Sequence, residues 1–489
     1  MLLSNVLKNL KEKKVLNLKK FNPDIKGIGC NSKKILKNFI FVAIKGQKDD
    51  GHKFISEAIE KGANLIVFEK KELKKKFQKK TNFIYTKNSK LFLSKIAANF
   101  YLNQPNYISA VTGTNGKTSV VYIANEIWKN CKIKSACLGT LGLIKNKEKI
   151  VSGLTTENSI EIHKTLSLLS KQKINKVSLE ASSHGLHQHR LDSLKLGVAA
   201  FTNISQDHFD YHKNFKNYFK AKMRIFSEIL KKNGIAIINS DLPESKKIIN
   251  LCKKKKKKIF TYGYNSSDLK LITYYKKNNN QKIIIKYKNK ILNYEIPLLG
   301  DFQVYNSLCA ISLVIFSGVP IIKLLKVMKK IKNIPGRLEK IKIPHKIKKN
   351  ISVFVDYAHT PNALKESLKI LKKDSNLLSV VFGCGGDRDK KKRALMGKIA
   401  SAFADKIYIT DDNPRFESPK KIRKEIISGC PSGIEIKNRY LAIKKAIKNS
   451  KEGEYILIAG KGHENYQIIG KKIYKYSDKG SVLEILKKI

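Results

Sequence analysis

At 489 residues the chain is too long for one ordinary hydrophobic core, and with 42% hydrophobic residues it can build several. Lys and Arg number 99 against 39 Asp and Glu, a formal charge of +60 that would suit a polyanion binder. The lysines are spread along the whole chain and rarely alternate with aromatics as a base-stacking surface requires, so they read as solvated faces and no nucleic-acid partner is expected.

Three blocks follow one another. Residues 1–103 carry the apolar runs FIFVAI (Phe39 to Ile44) and NLIVF, separated by the turn GQKDDGH and a helix-like stretch, which predicts a small α/β domain. Residues 104–334 open with the buried-strand pattern YISAV, a glycine loop and a helix, then repeat strand and polar loop in KVSLEASSHG, GVAAFTNISQDH and GIAIINSD. That alternation predicts a parallel sheet with ligands at the carboxyl ends of its strands. Ile334, Pro335 and Gly336 suit a hinge. Residues 335–489 then give four more apolar strands ending in polar or acidic loops, in ISVFVDYAHTP, LLSVVFGCGGDRD, KIYITDDNPR and YILIAGKGHE. The predicted fold is α/β in three domains, with a central phosphate-loop parallel sheet and a C-terminal Rossmann-like domain.

Seven scattered cysteines with no CxxC pair fit a reducing compartment. No apolar run reaches signal-peptide or membrane-spanning length, so a cytoplasmic protein without membrane insertion is expected. A monomer is the expected form.

The loop VTGTNGKTSVV carries the chemistry of phosphate binding. Main-chain N–H groups freed at Gly113 and Gly116 surround phosphate oxygens, Lys117 reaches the outer phosphates, and the Thr118 hydroxyl suits magnesium. A tight strand-to-helix turn is the plainer alternative. Val111 stands where the common GxxxxGK[ST] pattern begins with Gly. Glu180 and His208 each follow a strand and face the crevice where a nucleotide-bound magnesium would sit; ordinary polar strand ends are the alternative. His208 and His212 are four apart, yet no Glu follows His208 as an HExxH zinc site demands. His184, His187 and His189 read as solvated or hydrogen-bonded side chains, because alternate spacing in a loop fixes no metal geometry.

In chain order TGTNGKTS, TTEN, EASSHGLHQHR, NISQDHFDYH, YNSLCA, PGRLE and DYAHTP resemble the Mur ligase family, and with the terminal motifs the resemblance spans nearly the whole chain. It implies an ATP-dependent amide ligase. By that resemblance ATP is held by Gly113, Thr114, Asn115, Gly116, Lys117, Thr118 and Ser119, with Asn306, Arg337 and Asp356 completing the site. Magnesium is held by Thr118, Glu180, His208 and Lys222, the last as a carboxylated lysine, which requires an amine of depressed pKa.

The segment GCNSKKILKNFIFVAIKGQKDDGH resembles the family's uridine-binding region, with Ser32, Gln47, Lys48 and Asp49 at matching positions. The usual Asp-Ser-Arg is Asn31, Ser32, Lys33 here, which keeps the charge and loses the planar fork. Thr155, Thr156, Ser182, Gln188 and Arg190 match positions that hold the muramoyl peptide of UDP-MurNAc-L-Ala-D-Glu. The run Asp412, Asn413, Pro414, Arg415 resembles the form that selects meso-diaminopimelate over lysine. A guanidinium grips the distal carboxylate of diaminopimelate and repels the ammonium of lysine. Arg388, Gly460 and Glu464 match further contacts to this amino acid; outside the family context DDNPR is a plain Asx-Pro turn. A sister ligase adding lysine, D-Ala-D-Ala or glutamate, as folylpolyglutamate synthase does, is the competing reading, and a nucleic-acid-stimulated ATPase the third.

Overall fold

The computed structural model describes residues 1–11, 20–46, 49–77, 82–145, 148–151, 153–277, 280–344 and 349–488. Gln47 and Lys48, two of the expected uridine-site residues, lie outside them. The chain divides into two compact units. The first comprises Met1–Thr273, Ile284–Asn293 and Asn306–Val327, the second Tyr274–Ile283, Tyr294–Tyr305 and Met328–Ile489.

The first unit holds a four-stranded parallel sheet made of β1 (Gly27–Gly29), β2 (Phe39–Val42), β3 (Leu65–Phe68) and β4 (Phe83–Tyr85), in that order. Both expected runs are strands here. β3 is buried along its whole length, because apolar clusters cover both faces of the sheet.

The same unit contains the central sheet. Its strands are β5 (Tyr107–Thr112), β6 (Ser135–Gly139), β7 (Gly142–Lys145), β8 (Glu148–Ile150), β9 (Lys176–Glu180), β10 (Val198–Phe201), β11 (Ile235–Asn239) and β12 (Lys258–Gly263). They run in the order β12-β11-β10-β5-β9-β6-β7-β8, with β5 flanked by β10 and β9 in parallel register. Three strands that the alternating pattern did not foretell follow in the chain: β13 (Leu269–Lys277), β14 (Asn280–Tyr287) and β15 (Lys290–Ile296). Their exposed and buried residues alternate where the central strands are buried throughout. The sequence order inside the sheet jumps at β5, so the loops after β5, β9 and β10 open onto one crevice, as a doubly wound sheet requires.

The second unit carries a six-stranded sheet of β16 (Glu339–Lys340), β17 (Ser352–Asp356), β18 (Leu378–Phe382), β19 (Lys406–Ile409), β20 (Ile434–Glu435) and β21 (Tyr455–Ala459), ordered β16-β17-β21-β18-β19-β20. All its pairings are parallel except the β16 edge. Two core clusters cover its faces. β22 (Tyr466–Ile469) and β23 (Lys472–Lys475) form an antiparallel hairpin beyond it. Pro335 and Gly336, read as a hinge, lie inside this unit rather than at its start. Gly336 is packed: its φ is +64°, its N–H donates to Glu339 Oε2 at 2.8 Å, and a Cβ there would collide with the His463 backbone.

Candidate active site

β5 ends in a loop that turns into the helix Lys117–Asn130, the strand, turn and helix that the sequence foretold. Gly113 and Gly116 have φ of +150° and +85°, and side chains there would meet Thr202 and Asn306. Only glycine lets the backbone pass so close. Thr202 and Asn203, after β10, pin the loop from below. Thr114 N donates to Asn203 O at 2.9 Å, Asn115 N to Asn203 Oδ1 at 2.8 Å, and Thr202 Oγ1 to Asn115 O at 2.6 Å. Lys117 folds back over the loop, its Nζ donating to Gly113 O and Thr114 O at 2.8 Å each. Ser119 is buried in the first turn of the helix. Asn306, in the helix Asp301–Ile315 and one of the residues expected to complete the ATP site, faces Gly116 of the loop.

Glu180, the last residue of β9, is 2% exposed and sits beside this helix N-terminus. Its Oε2 accepts from Thr118 Oγ1 at 3.0 Å and its Oε1 from Thr140 N at 2.7 Å. Lys222 is buried in the helix Phe215–Arg224 with 1% exposure, and its Nζ donates to Gly113 O at 2.7 Å. Burial, followed by the nearby charge of Lys117, drives the Lys222 pKa well below its ordinary value. His208 takes a left-handed backbone conformation and stands against His184 and Tyr218, with ring centres 4.8 and 6.3 Å away. The Tyr218 hydroxyl lies 3.0 Å from Thr114 Oγ1 and its ring 4.6 Å from Lys222 Nζ. Tyr218 thus joins His208 and Lys222 to the phosphate loop, a link the sequence reading missed.

A hydroxyl, a buried carboxylate and a neutral-leaning amine beside a phosphate loop fit magnesium once the amine is carboxylated. A buried carboxylate also needs a cation or hydrogen-bond donors to compensate its charge. Among the described residues no three His, Cys, Asp or Glu side chains converge as a metal cage.

On the far side of Glu180 the expected peptide-binding residues form one network. Thr156 Oγ1 donates to Glu180 O at 2.8 Å and accepts from Ser182 N at 3.0 Å, while Thr155 Oγ1 lies 3.1 Å from Thr140 Oγ1. Arg190 donates through Nη1 to Thr156 O at 2.5 Å and through Nη2 to Gln188 Oε1 at 2.7 Å. Gln188 in turn donates to Tyr211 at 3.0 Å. His187 and His189 are hydrogen-bonded, to Tyr211 at 2.8 Å and Asp192 at 3.0 Å, and His184 is packed among rings. His184 and His187 stand in the short helix Ser183–His187 rather than in the loop that the spacing suggested, with His189 just beyond it. Asn88 Nδ2, at the edge of the N-terminal sheet, lies 3.0 Å from His189 Nε2, linking that sheet to the network. Ser32 is buried under a turn capped by Asn31, whose Oδ1 accepts from Lys33 N at 3.0 Å. Asp49 O accepts from Gly46 N at 2.9 Å.

In the second unit the loops after β18, β19 and β21 converge. Asn413 Nδ2 donates to Glu464 Oε2 at 3.0 Å, Gly386 N donates to Asn413 O at 2.9 Å, and Arg415 Nη1 donates to Gly386 O at 2.8 Å. Asp412 Oδ2 is the atom a Cβ on Gly460 would meet, at 2.6 Å, so the residue after β21 is a glycine because Asp412 fills its place. Pro414 connects Asn413 to Arg415, whose φ is +52°. Arg388 is exposed on the adjoining loop. Arg393, fully buried and unremarked in the sequence, pairs with Glu417 and Glu425 and donates to Gly385 O at 3.3 Å, tying the Arg388 loop to the Arg415 loop. Burial raises the Glu464 pKa, with Lys461 opposing. Elsewhere in this unit Asp356 ends β17, accepting from the backbone N–H groups of Leu338 and Ala358. Burial lifts its pKa to about 6 against the pull of Arg337, which lies over the Tyr357 ring at 4.6 Å.

The comparisons agree along the chain. The model of the Mur ligase family catalytic domain matches residues 24–101, that of the Mur ligase middle domain 111–314, and that of the Mur ligase glutamate ligase domain 336–462. The UDP-N-acetylmuramoyl-L-alanyl-D-glutamate–2,6-diaminopimelate ligase of Rickettsia bellii is 41% identical over 464 residues, covering 93% of this chain and 94% of that protein. A solved structure of a ligase of the same name aligns with a TM-score of 0.68 at 30% identity, covering 95% of each chain. The fold is also that of Mycobacterium tuberculosis folylpolyglutamate synthase, with a TM-score of 0.62 at 16% identity over 75% of this chain and 89% of that one. With three domain models in order and a relative of this identity along nearly its full length, the chain belongs to the Mur ligase family.

Proposed function

We propose that the protein joins meso-2,6-diaminopimelate to UDP-N-acetylmuramoyl-L-alanyl-D-glutamate at the expense of ATP, in peptidoglycan precursor synthesis. The observation that carries this reading is Glu180. Its carboxylate accepts from Thr118 at the phosphate loop while its backbone oxygen accepts from Thr156 in the peptide network, so one residue joins the two sets of side chains that this reading assigns to phosphate and acceptor. Residues 1–103, 104–334 and 335–489 serve as acceptor-binding, ATP-binding and amino-acid-binding domains.

The chemistry follows from the need to make a carboxylate electrophilic. The acceptor's carboxylate oxygen attacks the γ-phosphorus of ATP, the bond to the β-phosphate oxygen breaks, and an acyl phosphate and ADP result. The amine of the amino acid adds to the acyl carbon, the tetrahedral intermediate expels inorganic phosphate, and the nitrogen loses a proton to leave the amide. The loop N–H groups and Lys117 stabilise charge on the transferring phosphoryl group. Thr156, Ser182, Gln188 and Arg190 orient the acceptor. Thr118, Glu180, His208 and carboxylated Lys222 would hold magnesium, which would neutralise phosphate charge. Burial of Lys222 supports that modification, because only a neutral amine adds carbon dioxide, releasing a proton as the carbamate forms. Asp412, Asn413, Arg415, Arg388, Gly460 and Glu464 receive the amino acid, Arg415 taking the distal carboxylate that lysine lacks. A nucleotide-linked precursor and ATP as substrates place the enzyme in the cytoplasm, where it acts as a monomer.

The test is product identification by mass after incubation with ATP, magnesium, the UDP-linked dipeptide and either diaminopimelate or L-lysine, with hydroxylamine added in a parallel reaction. A diaminopimelate tripeptide and an acyl hydroxamate are expected. A lysine product alone sinks the substrate assignment, and absence of hydroxamate sinks the acyl phosphate.

A further inference from the structure

The first residue of the KGHE run after Gly460, Lys461, differs from the other lysines among the described residues in having 0% exposure. Its Nζ donates to Asn413 Oδ1 at 2.9 Å and to Tyr466 O at 2.8 Å, while the carboxylates of Glu464 and Asp412 stand at 3.5 and 3.8 Å. A buried lysine serving stability alone closes tightly on one carboxylate, since an unpaired buried charge is costly. Here the close partners are uncharged oxygens, and two carboxylates share the cation at longer range.

The consequence falls on Asn413. The two ends of an amide are nearly the same shape, so a hydrogen-bond network decides which way it points. Lys461 Nζ and Ile468 N, the latter at 2.9 Å, both require the oxygen end on their side, which turns Nδ2 onto Glu464 Oε2 at 3.0 Å. With the cation gone, Asp412 and Glu464 lose the positive charge that stands 3.8 and 3.5 Å from them.

We propose that Lys461 is a positioning residue of the amino-acid site, fixing the Asn413 amide and holding the Asp412 and Glu464 carboxylates together to receive the incoming ammonium group. The proposal rests on the reading that these loops bind the incoming amino acid, and deepens it.

The test measures KM for ATP, for the UDP-linked dipeptide and for whichever amino acid the wild type accepts from diaminopimelate, lysine and D-Ala-D-Ala, in Lys461→Met and Lys461→Gln. Glutamine retains a donor for Asn413 and removes the charge, and serves if the methionine variant does not fold. The expected result is a rise of tenfold or more in the amino-acid KM, larger for Met than for Gln, with the other two KM values within twofold. An unchanged amino-acid KM, or all three rising together, overturns the positioning role. A wild type that accepts lysine in place of diaminopimelate sinks the substrate reading alone, because the Lys461 comparison is then read with lysine. A wild type that accepts none overturns both.

Discussion

Arg439 and Asp478 have no solvent exposure, and theirs is a two-point pair: Nε to Oδ1 at 2.7 Å and Nη2 to Oδ2 at 2.8 Å. Nη2 also donates to Ala459 O at 2.8 Å, at the end of β21 and directly before the Gly460 loop. Burial opposes the guanidinium charge, yet Asp478 outweighs it and raises the Arg439 pKa above its ordinary value. Asp478→Ala leaves a buried cation with a single carbonyl partner. Breaking one side of such a pair costs about 3–5 kcal/mol. At about 2–4 °C per kcal/mol for a unit of this size, the melting temperature of the second unit should fall by about 6–20 °C. Lys488→Ala is the control, since it removes the exposed Glu484–Lys488 pair at 2.6 Å, a type worth at most about 1 kcal/mol. Scanning calorimetry or near-UV circular dichroism resolves the two variants. A drop for Asp478→Ala no larger than that for Lys488→Ala would refute the argument that this pair anchors the end of β21.

Three further outcomes bear on the site. Lys222→Ala should lower turnover by about 100-fold or more, as loss of preorganised charge stabilisation does, with partial recovery on adding a short carboxylic acid; full activity in the variant would exclude a role for its carbamate. Arg415→Ala should raise the KM for diaminopimelate by about 10- to 150-fold, the equivalent of a charged hydrogen bond of about 1.5–3 kcal/mol, and unchanged discrimination against lysine would refute its selector role. Asp356 binds its proton more tightly folded than unfolded, because burial lifts its pKa from 3.8 to about 6. Its contribution to stability is therefore fully present below pH 3.8 and lost as pH rises through about 6, a span of about 3 kcal/mol. Melting curves of Asp356→Asn between pH 4 and 7 should show a flatter dependence than wild type, and an equal slope would count against the burial argument.

The parts of this fold that were legible in the sequence are those where one physical requirement dominates a short window. Parallel strands buried on both faces need unbroken apolar runs, and YISAV, KVSLE, GVAAF, GIAIIN, ISVFVD, LLSVVF, KIYI and YILIA all became strands for that reason. The phosphate loop was equally local, since its glycines, lysine and threonine lie within eight residues between a strand and a helix. The strands β13–β15 escaped notice because their half-exposed faces dilute the apolar signal with lysine and asparagine.

Buried basic residues are the harder case, because charge composition cannot tell a solvated lysine from a working one. Lys222 meets Gly113 across 109 positions, Lys461 meets Asn413 across 48, and Arg439 meets Asp478 across 39, distances that no window spans. Two of them nevertheless carry a local signature. In FKNYFKAKMR the buried residues are Tyr218, Ala221, Lys222 and Met223, so Lys222 lies on the apolar stripe four residues from Tyr218, where a solvated lysine has no reason to be. The lysines at 216 and 220 of the same helix fall on its exposed face. Lys461 stands two residues beyond the carboxyl end of a strand buried on both sides, the place where a doubly wound sheet presents side chains to ligands. In a chain so rich in lysine, position relative to the apolar stripe or the strand end separates these two lysines from the solvated ones, and both tests single out residues whose amines face the two proposed substrate sites rather than solvent.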